Sequence, residues 1–358
     1  MISVLVVDDS VVVRRLIVDA LGVVPGIRIV GTASNGRLAL SKIDQLRPDL
    51  VTMDIEMPEM DGLTALRELR KTHARLPVIM FSTLTEAGAT ATLDALAAGA
   101  SDYVTKPTHM SSLSAAQSMV RDQLVPRINA LAGGPAHKSP APARVAPPLS
   151  SAPRPSGPVS ALLIGASTGG PDALAKVIGA LPGNLPVPIL VVQHMPPVFT
   201  TMFAERLNRL SSVSVVEAQD GMPVVAGRVY IAPGDHHLQI AQRGTGLFTK
   251  LSDGPPENSC RPAVDVLFRS AVRVYGGSAL AAILTGMGQD GKRGAEELHA
   301  AGAEIVAQDE PSSVVWGMPG AVVTAHLAHT VLPLGEIAQH LVSRIAAGKA
   351  GRPKVVVP

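Results

Sequence analysis

The run MISVLVVDDSVVVRRLIVDAL, Met1–Leu21, decides the fold of the first part of the chain. Val4–Val7 is apolar without interruption, as a strand buried on both faces must be. Two aspartates follow, and Val11–Leu21 then carries apolar residues at helical spacing. The same unit recurs. Arg28–Val30, Leu50–Met53, Val78–Phe81 and Tyr103–Thr105 read as strands, and Arg37–Leu46, Leu63–Arg70, Glu86–Ala98 and Leu113–Leu131 as helices. Near-continuous apolar strands alternating with amphipathic helices predict an α/β fold, a doubly wound parallel (βα)5 sheet covered on both faces.

Outward from this unit, 358 residues suggest two domains. With 46% apolar and 17% charged residues the chain is able to build packed cores, and with 3% aromatics those cores rest on Val, Ile, Leu and Ala. Apolar stretches such as Val159–Ala166 fall well short of the roughly 20 residues a bilayer span needs. The start has no basic segment of a secretory signal. One cysteine, Cys260, excludes an intrachain disulfide, and these features together predict a cytoplasmic protein. A net charge of +2 with no basic block argues against nucleic acid as a partner.

Residues Gly133–Pro158 hold eight prolines and three glycines in 26 positions, which predicts a semi-stiff linker between the two domains.

Ligands of doubly wound sheets bind at the carboxyl ends of the strands. There the first domain places Asp8 and Asp9, Asp54, Ser82, and Lys106 before Pro107. Three carboxylates on one rim repel unless a cation joins them, and a hard divalent ion such as Mg²⁺ suits an all-oxygen set. Lys106 and Ser82 suit phosphoryl oxygens, and central Asp54 suits the role of phosphoryl acceptor. The alternative for the first pair is that Asp9 or Ser10 merely caps the helix at Val11.

V-D-D-S at Val7–Ser10, D-I-E-M-P-E-M-D-G at Asp54–Gly62, Ser82 and T-K-P at Thr105–Pro107 resemble a response-regulator receiver domain over about residues 1–125. The resemblance implies phosphorylation of Asp54 by a histidine kinase. It implies Mg²⁺ held around Asp8, Asp9, Asp54 and Glu56, and a switch made of Ser82, Lys106 and Tyr103, the last of which reads otherwise as an ordinary half-buried tyrosine.

Beyond the linker, the strand Val159–Ala166 runs into S-T-G-G-P-D and a helix from Ala173. Gly165–Gly169 thus spells G-x-S-x-G at a strand-to-helix turn, which would lift the Ser167 hydroxyl above the sheet. A Gly-rich turn without chemistry fits the same letters. The strand Val187–Gln193 ends at His194, a possible general base or a structural histidine. The strand Ser278–Leu284 ends in T-G-M-G-Q-D-G, placing Asp290 at a turn before a helix. Serine needs a base, and the base an orienting carboxylate, so Ser167, His194 and Asp290 form a candidate triad. Its chain order differs from that of an α/β-hydrolase. Backbone N–H groups of Thr168 and Met287 are candidates to face an oxyanion.

G-M-G-Q-D-G at Gly286–Gly291, with Asp309 further on, also reads as a dinucleotide fingerprint, hence an oxidoreductase. A carboxylate at Asp290 would repel a pyrophosphate there. Cys260 reads as incidental, having no evident histidine partner. Asp235–His237 reads as a turn between strands, and His326 and His329 as structural. Arg261–Asp265 reads as binding an acidic substrate or capping the helix at Val264.

I-G-A-S-T-G-G-P at Ile164–Pro171, V-Q-H-M-P at Val192–Pro196, Y-I-A-P-G-D-H-H at Tyr230–His237, R-P-A-V-D-V-L-F at Arg261–Phe268 and L-T-G-M-G-Q-D-G at Leu284–Gly291 resemble the chemotaxis protein-glutamate methylesterases of CheB type. The resemblance implies a three-layer α/β catalytic domain with a mostly parallel sheet and a β-hairpin. That domain would span residues 159–347, after a linker at 126–158 and before a tail at 348–358. It implies hydrolysis of glutamyl methyl esters, and deamidation of glutamines, on the cytoplasmic domains of methyl-accepting chemoreceptors, with no cofactor for the ester step. Membrane contact would be only through those receptors. A receiver joined to such an enzyme suggests that the unphosphorylated receiver blocks the serine and that phosphorylation releases it. Two other classes stay open: a receiver-controlled hydrolase of another acyl substrate, and a phosphorylation-dependent adaptor without catalysis.

Overall fold

A computed structural model describes residues 1–107, 112–133 and 155–350. Contacts divide the chain into two units, Met1–Arg144 and Val145–Pro358.

The first unit runs β1 (Ile2–Val7), α1 (Val11–Gly22), β2 (Ile27–Ala33), α2 (Gly36–Leu46), β3 (Leu50–Asp54), α3 (Gly62–Thr72), β4 (Val78–Ser82), α4 (Glu86–Ala97), β5 (Asp102–Thr105) and α5 (Leu113–Ala132). The sheet has order β2-β1-β3-β4-β5 and every pairing is parallel. Val4, Leu5, Val6, Leu50, Val51 and Ile79 are fully buried. Removing such side chains from water stabilises the fold by roughly 1.5–3 kcal/mol each. Side chains of Ser10, Asn35, Asp61, Thr85 and Ser112 each accept the N–H three residues on and start the five helices. Ser10, rather than Asp9, caps α1, which leaves both aspartates to other work. Strand order reverses between β1 and β3, so Asp8 and Asp54 flank the switch point. Helix α5 continues to Ala132, so residues 126–132, expected to be linker, are helical. Residues 134–154 of that expected linker and 351–358 of the expected tail lie outside the described residues, while residues 348–350, expected to be tail, are helical.

The second unit runs β6 (Ala161–Ala166), α6 (Gly170–Gly179), β7 (Ile189–Gln193), α7 (Pro197–Leu210), β8 (Ser214–Glu217), β9 (Arg228–Ile231), β10 (His237–Arg243), β11 (Gly246–Ser252), α8 (Val264–Tyr275), β12 (Ala279–Ile283), α9 (Lys292–Ala300), β13 (Glu304–Gln308), α10 (Met318–Thr324), β14 (Thr330–Leu332) and α11 (Leu334–Ala350). Its seven-stranded sheet has order β14-β13-β12-β6-β7-β9-β8, parallel throughout, and β10 with β11 forms the hairpin. Helix α6 packs on α7 and α11, while α8 packs on α9 and β10. The sheet grows outward in both directions from β6, so the crevice lies where β6 meets β7 and β12.

The chain joins this unit before β6. The Arg344 guanidinium of α11 donates to the carbonyls of Pro155 (2.7 Å) and Gly157 (2.9 Å). It also pairs with buried Glu304 at 2.5 Å. Among the described residues no helix is long and apolar enough to cross a membrane.

Candidate active site

In the first unit, carboxylate oxygens of Asp8, Asp9 and Asp54 all lie within 4.8 Å of one another. Asp8 and Asp54 are buried and Asp9 is exposed. The ammonium of Lys106 lies 2.6 Å from Asp54 Oδ2 and 3.3 Å from Asp8 Oδ2. Burial pushes the Asp54 carboxyl up to about 6; the Asp8 charge adds to the rise, and the Lys106 hydrogen bond opposes it. Burial likewise raises Asp8. One cation therefore does not satisfy this rim, and an oxygen set of this kind fits a hard divalent ion. Glu56 is exposed and lies outside the three-carboxylate cluster, though it lines the same cleft of about 650 Å³ beside Asp9, Met57 and Asp61. The Ser82 hydroxyl faces helix α4, donating to Gly88 O at 3.1 Å. Tyr103 is 8% exposed rather than half-buried, on the face of β5 opposite Asp102 and Val104, which face α5.

In the second unit, Ser167 follows β6 in a turn fixed from three sides. Its N–H donates to Thr285 O at 3.1 Å, and its carbonyl accepts the Gly170 N–H at 2.7 Å and Gln193 Nε2 at 3.0 Å. Gly169 has φ +76°, and a Cβ on Gly170 would lie 2.0 Å from Gln193 Oε1, so both glycines are required by geometry. Thr285 Oγ1 donates to Thr168 O at 2.9 Å and accepts the Val315 N–H at 3.0 Å, tying the serine turn to the loop before α10. The Met287 N–H, in the turn after β12, has no hydrogen-bond partner among the described residues.

His194 is the residue after β7, and its N–H donates to Ala166 O at 3.3 Å, which sets it beside the Ser167 turn. Its Nε2 lies 2.8 Å from Asp290 Oδ2, and its Nδ1 lies 3.5 Å from Cys260 Sγ. Among the described residues no hydrogen bond joins the Ser167 hydroxyl to this ring. Burial pulls the imidazole down. The hydrogen bond to Asp290 and the nearby Cys260 sulfur outweigh it, and the ring is pushed up to about 9. For Asp290 burial acts upward. The hydrogen bond and charge of His194 and the N–H groups of Val264 and Asp265 prevail, holding the carboxyl below its ordinary range. Those N–H groups lie 2.7 and 3.1 Å away, and Gly291 N–H adds a third at 2.9 Å. Val264 and Asp265 stand at the N-terminus of α8, whose own cap residue, Ala263, has no side chain for the task.

The structure thus brings His194 and Asp290 into contact and sets Ser167 on the neighbouring strand end. Cys260, expected to be incidental, touches the imidazole. Asp265, expected to cap its own helix or bind substrate, is buried and accepts the Gly294 N–H of α9 at 2.7 Å. Arg261 pairs with Asp235 at 2.6 Å. His237 belongs to strand β10 rather than a turn, and its Nδ1 accepts the Ala263 N–H. His329 accepts the Ile305 N–H and stacks on His299. The dinucleotide reading finds no support here, since the Asp290 carboxylate fills its own glycine turn and the Asp309 carboxylate accepts the Ser312 N–H. The letters alone gave no role to Gln193, Thr285 or Asn258, although the first two lie inside the quoted motifs V-Q-H-M-P and L-T-G-M-G-Q-D-G.

Comparison with known proteins adds to this geometry. The family described as CheB methylesterase matches residues 162–341, and that of the response regulator receiver domain matches residues 4–117. A protein-glutamate methylesterase/protein-glutamine glutaminase of Nocardioides sp. is 54% identical over 351 residues, covering 96% of each chain. One from Trichodesmium erythraeum is 45% identical over 350 residues, covering 96% of this chain and 98% of its own. The crystal structure of the Thermotoga maritima CheB methylesterase catalytic domain is 43% identical, with a TM-score of 0.51 over 52% of this chain and 98% of that one.

Proposed function

This chain belongs to the CheB methylesterase family, its activity that of a protein-glutamate methylesterase and glutaminase joined to a receiver domain, and on that premise we propose that Ser167, His194 and Asp290 carry the acyl chemistry. The observation that carries this is the 2.8 Å contact of His194 with Asp290 beside the Ser167 turn. With Nε2 committed to Asp290, Nδ1 is the nitrogen left to take a proton. Ser167 Oγ attacks the ester carbonyl carbon as its proton passes to Nδ1. The N–H groups of Thr168 and Met287 face the oxyanion. Collapse expels methanol, or ammonia from a glutamine, and His194 returns the proton to the leaving group. Water then attacks the serine ester by the same route, freeing a glutamate carboxylate and Ser167. Asp290 stays ionised throughout and holds the ring.

In the first unit, Asp54 is the phosphoryl acceptor, served by a histidine kinase. Asp8, Asp9 and Asp54 would hold Mg²⁺, which when bound would neutralise phosphoryl charge, and Lys106 is placed to pass its cation from Asp54 to a phosphoryl oxygen. Ser82 and Tyr103 report the change. The substrates are cytoplasmic domains of chemoreceptors, and the protein works in the cytoplasm. The test is methanol release from methylated receptor with and without a phosphodonor, using wild type, Ser167→Ala and Asp54→Asn. Release by Ser167→Ala at the wild-type rate would overturn the triad, and an equal response of Asp54→Asn to the phosphodonor would overturn the acceptor.

A further inference from the structure

We propose that the turn Glu257–Cys260 positions the His194–Asp290 pair for catalysis, and that Asn258 does so through its side-chain amide. The inference rests on reading Asp290 as the carboxylate that orients His194.

The turn is closed by two backbone hydrogen bonds, Glu257 N–H to Cys260 O at 3.1 Å and Cys260 N–H to Glu257 O at 2.8 Å. Asn258 and Ser259 both lie in the left-handed region, at φ +50° and +62°. Two consecutive residues of that kind make a type I′ turn, and asparagine tolerates the first position better than most side chains. The carboxylate of Glu257 pairs with Arg269 and pins the turn to helix α8. So held, four residues reach both members of the pair. Cys260 presents Sγ to His194 Nδ1 at 3.5 Å, and Asn258 Nδ2 donates to Asp290 Oδ1 at 3.0 Å and to Asp265 Oδ2 at 2.9 Å.

The second bond of Asn258 gives the first its importance. Asp265 and Asp290 are 1% and 2% exposed. Two buried carboxylates this close disfavour each other's charged form. An amide NH₂ carries two donors and can serve one carboxylate with each. Burial and the Asp290 charge push the Asp265 carboxyl upward, and the Asn258 hydrogen bond opposes them. Without the amide Asp290 loses one of the donors that keep it ionised beside a second buried carboxylate. A protonated Asp290 would no longer hold imidazolium. The charged groups facing Asn258 are Asp265 from α8 and Asp290 from the turn before α9, with His194 behind Asp290. Glu257 in the same turn is neutralised by Arg269.

The test measures methanol release and thermal unfolding of the full chain for wild type, Asn258→Gly, Asn258→Asp, Asp290→Asn and Asn258→Gly with Asp290→Asn. Glycine keeps the left-handed turn and removes only the amide. Asn258→Gly lowers kcat roughly tenfold or more with KM near wild type, and lowers the melting temperature as well, as expected for two buried carboxylates losing a donor. Added to Asp290→Asn it costs no further rate, because the effect passes through Asp290. Asn258→Asp loses more, and its rate relative to wild type recovers as pH falls, since the new carboxyl donates once protonated. Wild-type kcat in Asn258→Gly, or an equal loss in both backgrounds, overturns the proposal while leaving the triad intact. Wild-type kcat in Asp290→Asn overturns the triad reading itself, and the proposal with it.

Discussion

Asp265 Oδ1 accepts the Gly294 N–H at 2.7 Å, while Asp290 accepts the N–H groups of Val264 and Asp265 at 2.7 and 3.1 Å. Each carboxylate thus closes the first turn of the helix that carries or follows the other. The orienting carboxylate of the site is part of the joint between α8 and α9, and its loss has two readouts. Asp290→Asn is expected to lower kcat by roughly 10³–10⁴. It also destabilises the second unit by about 1–3 kcal/mol, because capping acceptors are lost. Methanol release and chemical unfolding read these separately, and a stable, fully active variant would refute both.

Ser167→Ala contrasts with this. Its hydroxyl makes no hydrogen bond to His194, so the variant is expected to unfold like wild type while losing roughly 10³-fold or more in rate.

The raised imidazole sets a pH dependence. A protonated Nδ1 cannot accept the serine proton, so kcat/KM is expected to climb as pH rises toward about 9. Cys260→Ala removes one of the groups holding the ring up, and the climb then begins at lower pH. For stability the sign is opposite. A base raised from 6.5 to about 9 by folding contributes fully below 6.5, and that contribution is lost as pH rises through about 9. Melting temperatures across this window, for wild type and His194→Ala, check it. A flat rate profile would contradict the arrangement.

How much of this the sequence discloses depends on range. Leu50–Asp54 is buried at every position, and its letters, apolar but for Thr52 and the terminal Asp54, announce a central parallel strand. The G-x-S-x-G letters announce a turn that Gly169 and Gly170 make possible. Contacts such as Asn258 with Asp290 and Cys260 with His194 span 32 and 66 residues. No periodicity marks them, and a left-handed turn in a loop looks like any other loop until the fold closes. The order of the seven strands is equally silent, since β12 reaches β6 across the whole hairpin.

The acidic rim of the first unit titrates in the same sense, but at lower pH. Folding raises Asp54 from 3.8 to about 6, so the protonated form's contribution to stability is lost as pH rises through about 6. A divalent cation competes with that proton. The gain in melting temperature on adding Mg²⁺ is expected to be larger near pH 7.5 than near pH 5, and to shrink in Asp54→Asn. Equal gains at both pH values would show that the cation binds elsewhere.

Gly62→Ala is expected to damage the same rim without touching a charge. The added Cβ would lie 2.0 Å from the Asp54 carbonyl, and backbone must move to admit it. We expect a loss of about 2 kcal/mol or more in the first unit, with slower phosphoryl uptake at Asp54. An alanine variant with wild-type unfolding would show that the start of α3 yields more easily than its packing implies.

The grip of Arg344 on Pro155 and Gly157 has a consequence for the tether between the units. Its far mooring lies at Pro155, four residues upstream of the strand start read from the letters. A second unit cut at Pro155 keeps both carbonyl partners of Arg344, whereas one cut past Gly157 strips them from an arginine that stands over the buried charge of Glu304.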